Sequence, residues 1–426
     1  MSLVGVIFFV LLIFGVPLAF TIGIAGVAFI LSEPDLPLTV GVQKMISSTQ
    51  SFPLLAVPFF VCAGHLMNAS GITTRLIRFS TVLTGHLVGG LAHVSIVLSA
   101  LMGGISGSAV ADVAMESRLL GPSMIAKGYS KGYTAAVIGL SGLITATIPP
   151  SIGLILYGFV GEVSIGKLLV AGVMPGVYMT AILMAAAYVT ARKKGYGVAR
   201  SAPTAREVFD SFIDCIWALL FPVILIVGIR FGIFTPSEAG AFAVVYAFAV
   251  GWYVYKELNW QKVREVLKHS VNDNGIIMLI ISCSGIFGYA TVYDGLPQTL
   301  AELITGITTN PTLLLFLVLG FLFFAGMFME ATVNTLLLTP IFLPIMKSVG
   351  IDPVHFGLLM MTIITMGGMT PPVGVAMFTA CSLLECPTDE YIRESIPFIA
   401  AIIIQVVIMA LFPETVLWLP DLVFGK

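Results

Sequence analysis

Charge is what this sequence has least of: Asp, Glu, Lys and Arg make up 10% of its 426 residues, against about 25% in a typical soluble domain. No water-soluble fold can hide the matching apolar excess, which is 58% of residues at a mean hydropathy of +1.05. A basic surplus is lacking too. With a formal net charge of −2 there is no broad basic face, and nucleic acid is excluded as a partner. Cysteine is sparse: Cys62, Cys215, Cys283 and Cys381 lie in or beside apolar stretches, and Cys381 with Cys386 has neither CxxC spacing nor a His cluster nearby. That argues against a disulfide framework and a zinc site. Neither HExxH nor GxSxG stands at membrane depth, so no nucleophile is set beside a base and the chain is expected not to be an enzyme. His65, His86 and His93 fall near helix ends without metal-ligand spacing and read as packing or interface residues; His269 and His355 are expected in loops.

What the sequence does have is apolar stretches that recur along its length. A crossing helix needs about 20 such residues, so roughly ten to twelve passes fit. The stretch 4–31 has no basic residues ahead of it and is too long for a signal-peptide core, so it is expected to be a retained first helix. The polar stretch 191–211 carries Arg192, Lys193, Lys194, Arg200 and Arg206, which places it in the cytoplasm. Lys256, Lys262, Arg264 and Lys268 follow two spans later, on the same side.

The two halves also repeat. Pro149-Pro150 and Pro371-Pro372 are separated by 222 residues (371 less 149), and Pro122/Pro344, Gly128/Gly350 and Pro175/Pro397 keep the same offset. The second half is preceded by the basic stretch 256–268, whereas the matching region 34–46 follows Glu33, holds Asp35 and has only Lys44. Opposite charge bias on matching loops is the mark of an inverted-topology repeat, the device by which secondary transporters build two access states from one chain.

Two polar segments are too short and too uncharged to be exposed loops: Gly103-Gly104-Ile105-Ser106-Gly107-Ser108-Ala109-Val110-Ala111-Asp112 and Met329-Glu330-Ala331-Thr332-Val333-Asn334-Thr335. They read as tips of re-entrant hairpins, and Asp112 and Asn334 are matched by the offset of 222. Irregular backbone survives at membrane depth only where protein or a wet cavity satisfies it. Hydroxyls and free carbonyls there suit a dehydrated sodium ion; the competing reading is that Gly and Ser allow close helix packing. Each hairpin is followed by a helix interrupted at a double proline, in Thr145–Gly153 and Gly367–Gly374. Proline withholds a donor from the carbonyl four residues back, so a cation can meet freed carbonyls on one side of the break and an anion the helix N-terminus on the other. A lone Pro-Pro kink is commonly structural; two that are repeat-related, each paired with a polar tip, point to a transport site. Asp112, Glu116, Arg118 and Glu330 are the ionisable residues at depth. Arg118 either meets a substrate carboxylate or pairs with an acid or snorkels.

These residues resemble a known family. Phe52-Pro53-Leu54-Leu55-Ala56-Val57-Pro58-Phe59-Phe60 leading to Gly64-His65-Leu66-Met67, the Gly103–Asp112 segment, Ile148-Pro149-Pro150-Ser151, Gly232-Ile233-Phe234-Thr235-Pro236-Ser237-Glu238-Ala239 and Met369-Thr370-Pro371-Pro372-Val373-Gly374 are similar to the DctM-type large membrane subunit of tripartite ATP-independent periplasmic (TRAP) transporters. The resemblance covers essentially the whole chain. It implies an all-α, polytopic protein of the bacterial inner membrane, with inverted repeats, two re-entrant hairpins and Pro-Pro broken helices arranged as an elevator. It also implies a separate small four-helix membrane subunit of the DctQ type, a soluble periplasmic substrate-binding protein, Na+ as coupling ion and a small carboxylate substrate. The moving part would be 89–161 with 312–384, and 1–88, 162–311 and 385–426 would stand as scaffold. Carried over residue by residue, one sodium site takes Ser106, Ser108, Thr145 and Thr147 and a second takes Asn334, Gly367, Gly368 and Thr370. Substrate contacts fall on Asp112, Pro149, Pro150, Ser151, Glu330, Thr332, Pro371 and Pro372. The family carries C4-dicarboxylates, keto acids and sialic acid, and this sequence is most similar to the sialic-acid branch. A stand-alone sodium-coupled carboxylate symporter is the alternative.

Overall fold

Within a bilayer every backbone N–H and C=O needs a partner in the chain itself, and a helix supplies it locally. The described residues are accordingly helical almost throughout, with one isolated bridge between Val88 and Val198. The structure is a computed structural model that describes residues 3–198, 201–296, 298–299, 302, 306, 308 and 310–425. Arg200 of the basic stretch lies outside the described residues.

The first half opens with α1 (Leu3–Ile13), α2 (Leu18–Ser32), α3 (Leu38–Ser47), α4 (Ala56–Ala69) and α5 (Ile72–Thr84). Next come α6 (Gly90–Gly103), α7 (Ala109–Leu119), α8 (Gly121–Ala126), α9 (Lys131–Thr147), α10 (Ile152–Val160) and α11 (Ile165–Lys194). The second half comprises α12 (Ala205–Arg230), α13 (Pro236–Ala249), α14 (Trp260–Tyr293), α15 (Pro311–Phe328), α16 (Ala331–Ser348), α17 (Pro353–Gly367), α18 (Val375–Leu384), α19 (Thr388–Leu411) and α20 (Glu414–Phe424).

Three expectations are corrected. The stretch 4–31 is two helices: Gly15 turns the chain at φ +73°, and Pro17, which has no N–H to extend α1, immediately precedes α2. Among the described residues, seven helices are long and apolar enough to cross a bilayer, or eight if α9 and α10 form one span bent by 46°. This is fewer than ten to twelve, since hairpin arms and half-helices are apolar without being full crossings. His269 and His355 lie inside α14 and α17, and His355 is buried with Nε2 2.8 Å from the Met409 carbonyl.

The sequence repeat is a structural repeat. The hairpin α6–α7 and broken pair α9–α10 recur as α15–α16 and α17–α18. Gly128 and Gly350 both take left-handed backbone, at φ +86° and +81°, and both Pro-Pro bonds are cis. Pro175 and Pro397 each sit inside a long helix, α11 and α19.

Two hydrophobic cores organise these elements. One holds the hairpins and broken helices around α9, whose residues from Gly132 to Thr147 are all buried. The other joins α1, α2, α4, α5 and α12–α14 through residues such as Ile22, Phe60, Leu76, Phe221 and Phe287. The helices α11 and α19 contribute Leu168, Leu183, Tyr391 and Phe398 to the first core, and the Gln405 amide ties them by donating to the Pro175 carbonyl at 2.8 Å. Faces of α6, α10 and α16, and the first turns of α11, belong to each core, so these segments run along the boundary.

Candidate functional site

The first hairpin reverses between Gly103 and Ala109. Gly107 takes φ +61°, and a Cβ there would collide with the Pro150 carbonyl, so the tip rests directly on the break that follows it. Ser108 caps α7, accepting from Ala111 N at 3.4 Å. Ser106 Oγ donates to Asp112 Oδ1 at 2.7 Å, whereas Asp112 Oδ2 is buried with no hydrogen-bond partner among the described residues. One turn on, the buried Glu116 accepts from Ser95 Oγ and, at 2.7 Å, from Ser99 Oγ; Ser141 Oγ is 3.3 Å from Ser95 Oγ. Thr145 Oγ1 donates to the Ser99 carbonyl at 2.9 Å, joining this cluster to the broken helix.

In the second hairpin Glu330 is the capping residue: Oε2 accepts from Thr332 N at 2.8 Å and Oε1 from Thr332 Oγ1 at 3.1 Å. Asn334 donates from Nδ2 to the Met329 carbonyl at 2.9 Å and the Ala325 carbonyl at 3.3 Å, clamping the two arms together. Its Oδ1, like Asp112 Oδ2, is buried without a partner among the described residues. Repeat-related positions thus each present one buried, unpartnered oxygen. Such an oxygen carries a desolvation cost that a bound cation would relieve.

At the first break Pro149 has no N–H to offer the Thr145 carbonyl. Ser151 Oγ donates to the Ala146 carbonyl at 2.6 Å and accepts from Leu154 N at 3.3 Å, bridging the gap and capping α10. At the second break the Gly367 carbonyl accepts from Thr370 Oγ1 at 2.9 Å, the Gly368 carbonyl from Ala376 N at 2.9 Å and the Met369 carbonyl from Tyr391 Oη at 2.9 Å. The Gly367 carbonyl also accepts from Thr370 N at 3.0 Å, whereas those of Gly368 and Met369 each keep a second lone pair. Gly374 N donates to the Met327 carbonyl at 3.0 Å, fastening this break to the second hairpin.

Tips and breaks meet on one cavity of about 670 Å³. Of the sequence-predicted residues, Ser106, Ser108, Ser151, Glu330, Thr332 and Gly368 line it. Asp112, Thr145, Asn334 and Thr370 are buried beside the tips and breaks without lining the cavity. The others lie elsewhere. Thr147 Oγ1 donates to the Leu143 carbonyl at 2.9 Å, and its own carbonyl abuts Gly172 of α11. Pro149 and Pro150 line a separate crevice with Phe60 and Pro222. Pro371 is half-buried and Pro372 exposed. Gly367 packs against Gly326 where α17 crosses α15, a Cβ there lying 2.5 Å from the Phe323 carbonyl. Arg118 is exposed on α7, away from the cavity. The facing wall holds His65, Asn68 and Asp273, none of them singled out for a transport role from the sequence. A carboxylate at a helical step from an apolar run was the available signal for Asp273.

The first turns of α7, α10, α16 and α18 all border the cavity, and their free N–H groups and dipoles favour an anion there. The unpartnered oxygens and the nearby hydroxyls are hard donors of the kind an alkali cation takes.

The fold is shared with a solved membrane transporter: YdaH of Alcanivorax borkumensis matches with a TM-score of 0.66 at 13% identity, covering 90% of each chain. The class of fold is therefore an all-helical polytopic membrane protein. Residues 5–415 match the family described as "Tripartite ATP-independent periplasmic transporter, DctM component", and the chain belongs to that family. It is a TRAP large permease of the bacterial inner membrane, and these proteins are carriers and not enzymes. The sialic acid large permease SiaM of Vibrio cholerae is 37% identical over 97% of both chains, and the C4-dicarboxylate large permease DctM of Pseudomonas aeruginosa 34% over 94% of both. The isethionate permease DctMQ of Oleidesulfovibrio alaskensis is 34% identical over 95% of this chain but 64% of its own length. Large permeases of this family work with a small membrane subunit and a periplasmic binding protein.

Proposed function

We propose that this permease imports a small organic acid, sialic acid in the first instance, driven by an inward sodium gradient. The observation that carries the reading is convergence: two hairpin tips and two interrupted helices, repeated at an offset of 222 residues (371 less 149), border one cavity. Likeness to SiaM at 37% identity supports the choice of substrate. Sodium would sit beside each tip, with Ser106, Ser108, Thr145 and the free Asp112 oxygen at the first, and Asn334 Oδ1, Thr370 and the carbonyls of Gly367 and Gly368 at the second. The substrate carboxylate would lie between them at Ser108 and Ser151, facing helix N-termini, with Glu330 and Thr332 left to a hydrogen-bond donor of the substrate.

Alternating access would follow from sliding the first hydrophobic core past the second. The mobile body then includes α11 and α19 along with 89–161 and 312–384, because α19 and most of the buried face of α11 belong to the same core, although Ile165 and Leu169 at the start of α11 belong to the other. At Gly64 of α4 the boundary is close: a Cβ would lie 3.6 Å from Ser106 Cα. The basic stretches face the cytoplasm, the binding protein delivers on the opposite side, and a small four-helix subunit braces the stationary core.

The test is uptake of labelled sialic acid into proteoliposomes holding the permease with and without its small subunit and binding protein. Accumulation that needs all three proteins and sodium is expected. Uptake by the permease alone would make it a stand-alone symporter, and uptake indifferent to sodium would overturn the coupling. Ser106→Val and Thr370→Val should each weaken apparent sodium affinity by roughly tenfold, equivalent to about 1.4 kcal/mol, without preventing membrane insertion.

A further inference from the structure

The two walls of the cavity differ in chemistry. The hairpin side offers serine hydroxyls and helix N-termini, whereas the wall from α2, α4 and α14 is apolar, with Leu18, Val61, Ile276, Ile277 and Ile280, except for His65, Asn68 and Asp273. His65 Nε2 lies 2.7 Å from Asp273 Oδ2, with side chains 32% and 51% exposed. A second ring, His269, stands 6.1 Å from that of His65. The Asp273 carboxylate can only accept, so it fixes the proton of the neutral His65 ring on Nε2 and leaves Nδ1 as an acceptor. Asn68 accepts from Thr73 Oγ1 at 2.9 Å through Oδ1, which orients its NH2 as a donor. An acceptor and a donor side by side suit an uncharged polar group.

Among the described residues lining the cavity there is no Lys or Arg, while Asp273 and Glu330 are both carboxylates. One substrate carboxylate is served by the helix N-termini on the hairpin side. A second, reaching the opposite wall, would face the Asp273 carboxylate, which already holds His65, the one histidine among the described residues lining the cavity.

We propose that the His65–Asp273 pair, with Asn68, is a selectivity element on the wall opposite the hairpins that reads a hydroxyl or amide group of the substrate and rejects a second carboxylate. The substrate class is then a hydroxylated monocarboxylic acid. This rests on the organic-acid reading above and narrows it. The pair is carried by α4 and α14 and includes none of the residues placed at the cation sites, so it acts on selectivity and leaves cation binding to the hairpins and breaks.

Selectivity of the permease has to be measured apart from the binding protein. Purified permease with its small subunit, in sodium, is titrated with N-acetylneuraminate, gluconate and succinate, and ligand-induced thermal stabilisation is followed. The two hydroxylated acids are expected to act at concentrations about tenfold lower than succinate. His65→Leu should weaken both by about fivefold to tenfold, the scale of one or two lost hydrogen bonds, and leave succinate unchanged. His65→Gln, which keeps an acceptor, should restore part of the difference. Asp273→Asn should improve succinate. Equal stabilisation by succinate in the parent protein, or an unchanged selectivity ratio in folded His65→Leu and His65→Gln, would overturn the proposal while leaving organic-acid import intact. If none of the acids stabilises the protein with sodium present, the import reading falls and this one with it.

Discussion

At Glu116 the first hairpin buries a carboxylate among Ser95, Ser99 and Ser141; 222 residues on (338 less 116), the matching positions of the second half hold Leu338, Leu317, Phe321 and Ile363, of which Leu317 and Phe321 are exposed. The exchange is complete: the acid and its hydroxyl partners are present together or replaced together by apolar groups. Buried polar groups are tolerated when satisfied, and a partly dismantled set costs more than either full version. The tips divide their charge differently as well. Ser108 and Glu330 occupy matching capping positions, as Asp112 and Asn334 do in the first turn, so each helix start keeps one acid near its positive dipole end at a different place. The breaks diverge further: buried Ser151 corresponds to Val373, which is 40% exposed.

The largest expected effect comes from dismantling the first cluster halfway. Ser95→Leu with Ser99→Phe, keeping Glu116, should cost about 3 kcal/mol in thermal unfolding, since the carboxylate loses both donors. Adding Glu116→Leu and Ser141→Ile, which completes the second-half version, should recover most of it. A double variant as stable as the parent would mean that the cluster contributes nothing. Next in size is Gly107→Ala, for which the left-handed backbone alone costs about 1–2 kcal/mol and the clash with the Pro150 carbonyl adds to it; sodium-driven uptake should be lost. Gly368→Ala in the other half is the control, with φ −64° and a Cβ no nearer than 3.4 Å to another atom, and should retain most uptake. Ser151→Val, which makes the first break like the second, removes a cap worth about 1 kcal/mol. The smallest change is Val373→Ser: α18 is capped at Gly374, one residue further on, so the new hydroxyl meets no capping position and stability should move by less than about 0.5 kcal/mol.

Much of this frame was legible in the sequence because proline and glycine act locally. The double prolines marked both breaks, Gly128 and Gly350 marked matching left-handed turns, and short polar segments between apolar runs marked both tips. Gly15 and Pro17 carried the same kind of signal, but the continuous apolar run 4–31 concealed the turn. The candidate ligands were legible as types more than as positions. Ser106, Ser108, Ser151 and Glu330 do line the cavity, whereas Thr147 turns toward α11 and Pro372 toward the outside, because the facing direction of a residue in an interrupted helix depends on how the chain resumes after the break.

By itself the sequence determined the solvent, the repeat and the places where helices must stop, since each follows from transfer energies and from backbone chemistry confined to a few residues. Only the tertiary structure decided that α11 and α19 share a core with the hairpins, that Asp112 and Asn334 each keep one oxygen without a partner among the described residues, and that His65 meets Asp273 across 208 positions of chain. Long apolar helices look alike in sequence whichever neighbour they pack against, and a hydrogen bond between distant residues exists only once the packing has brought them together.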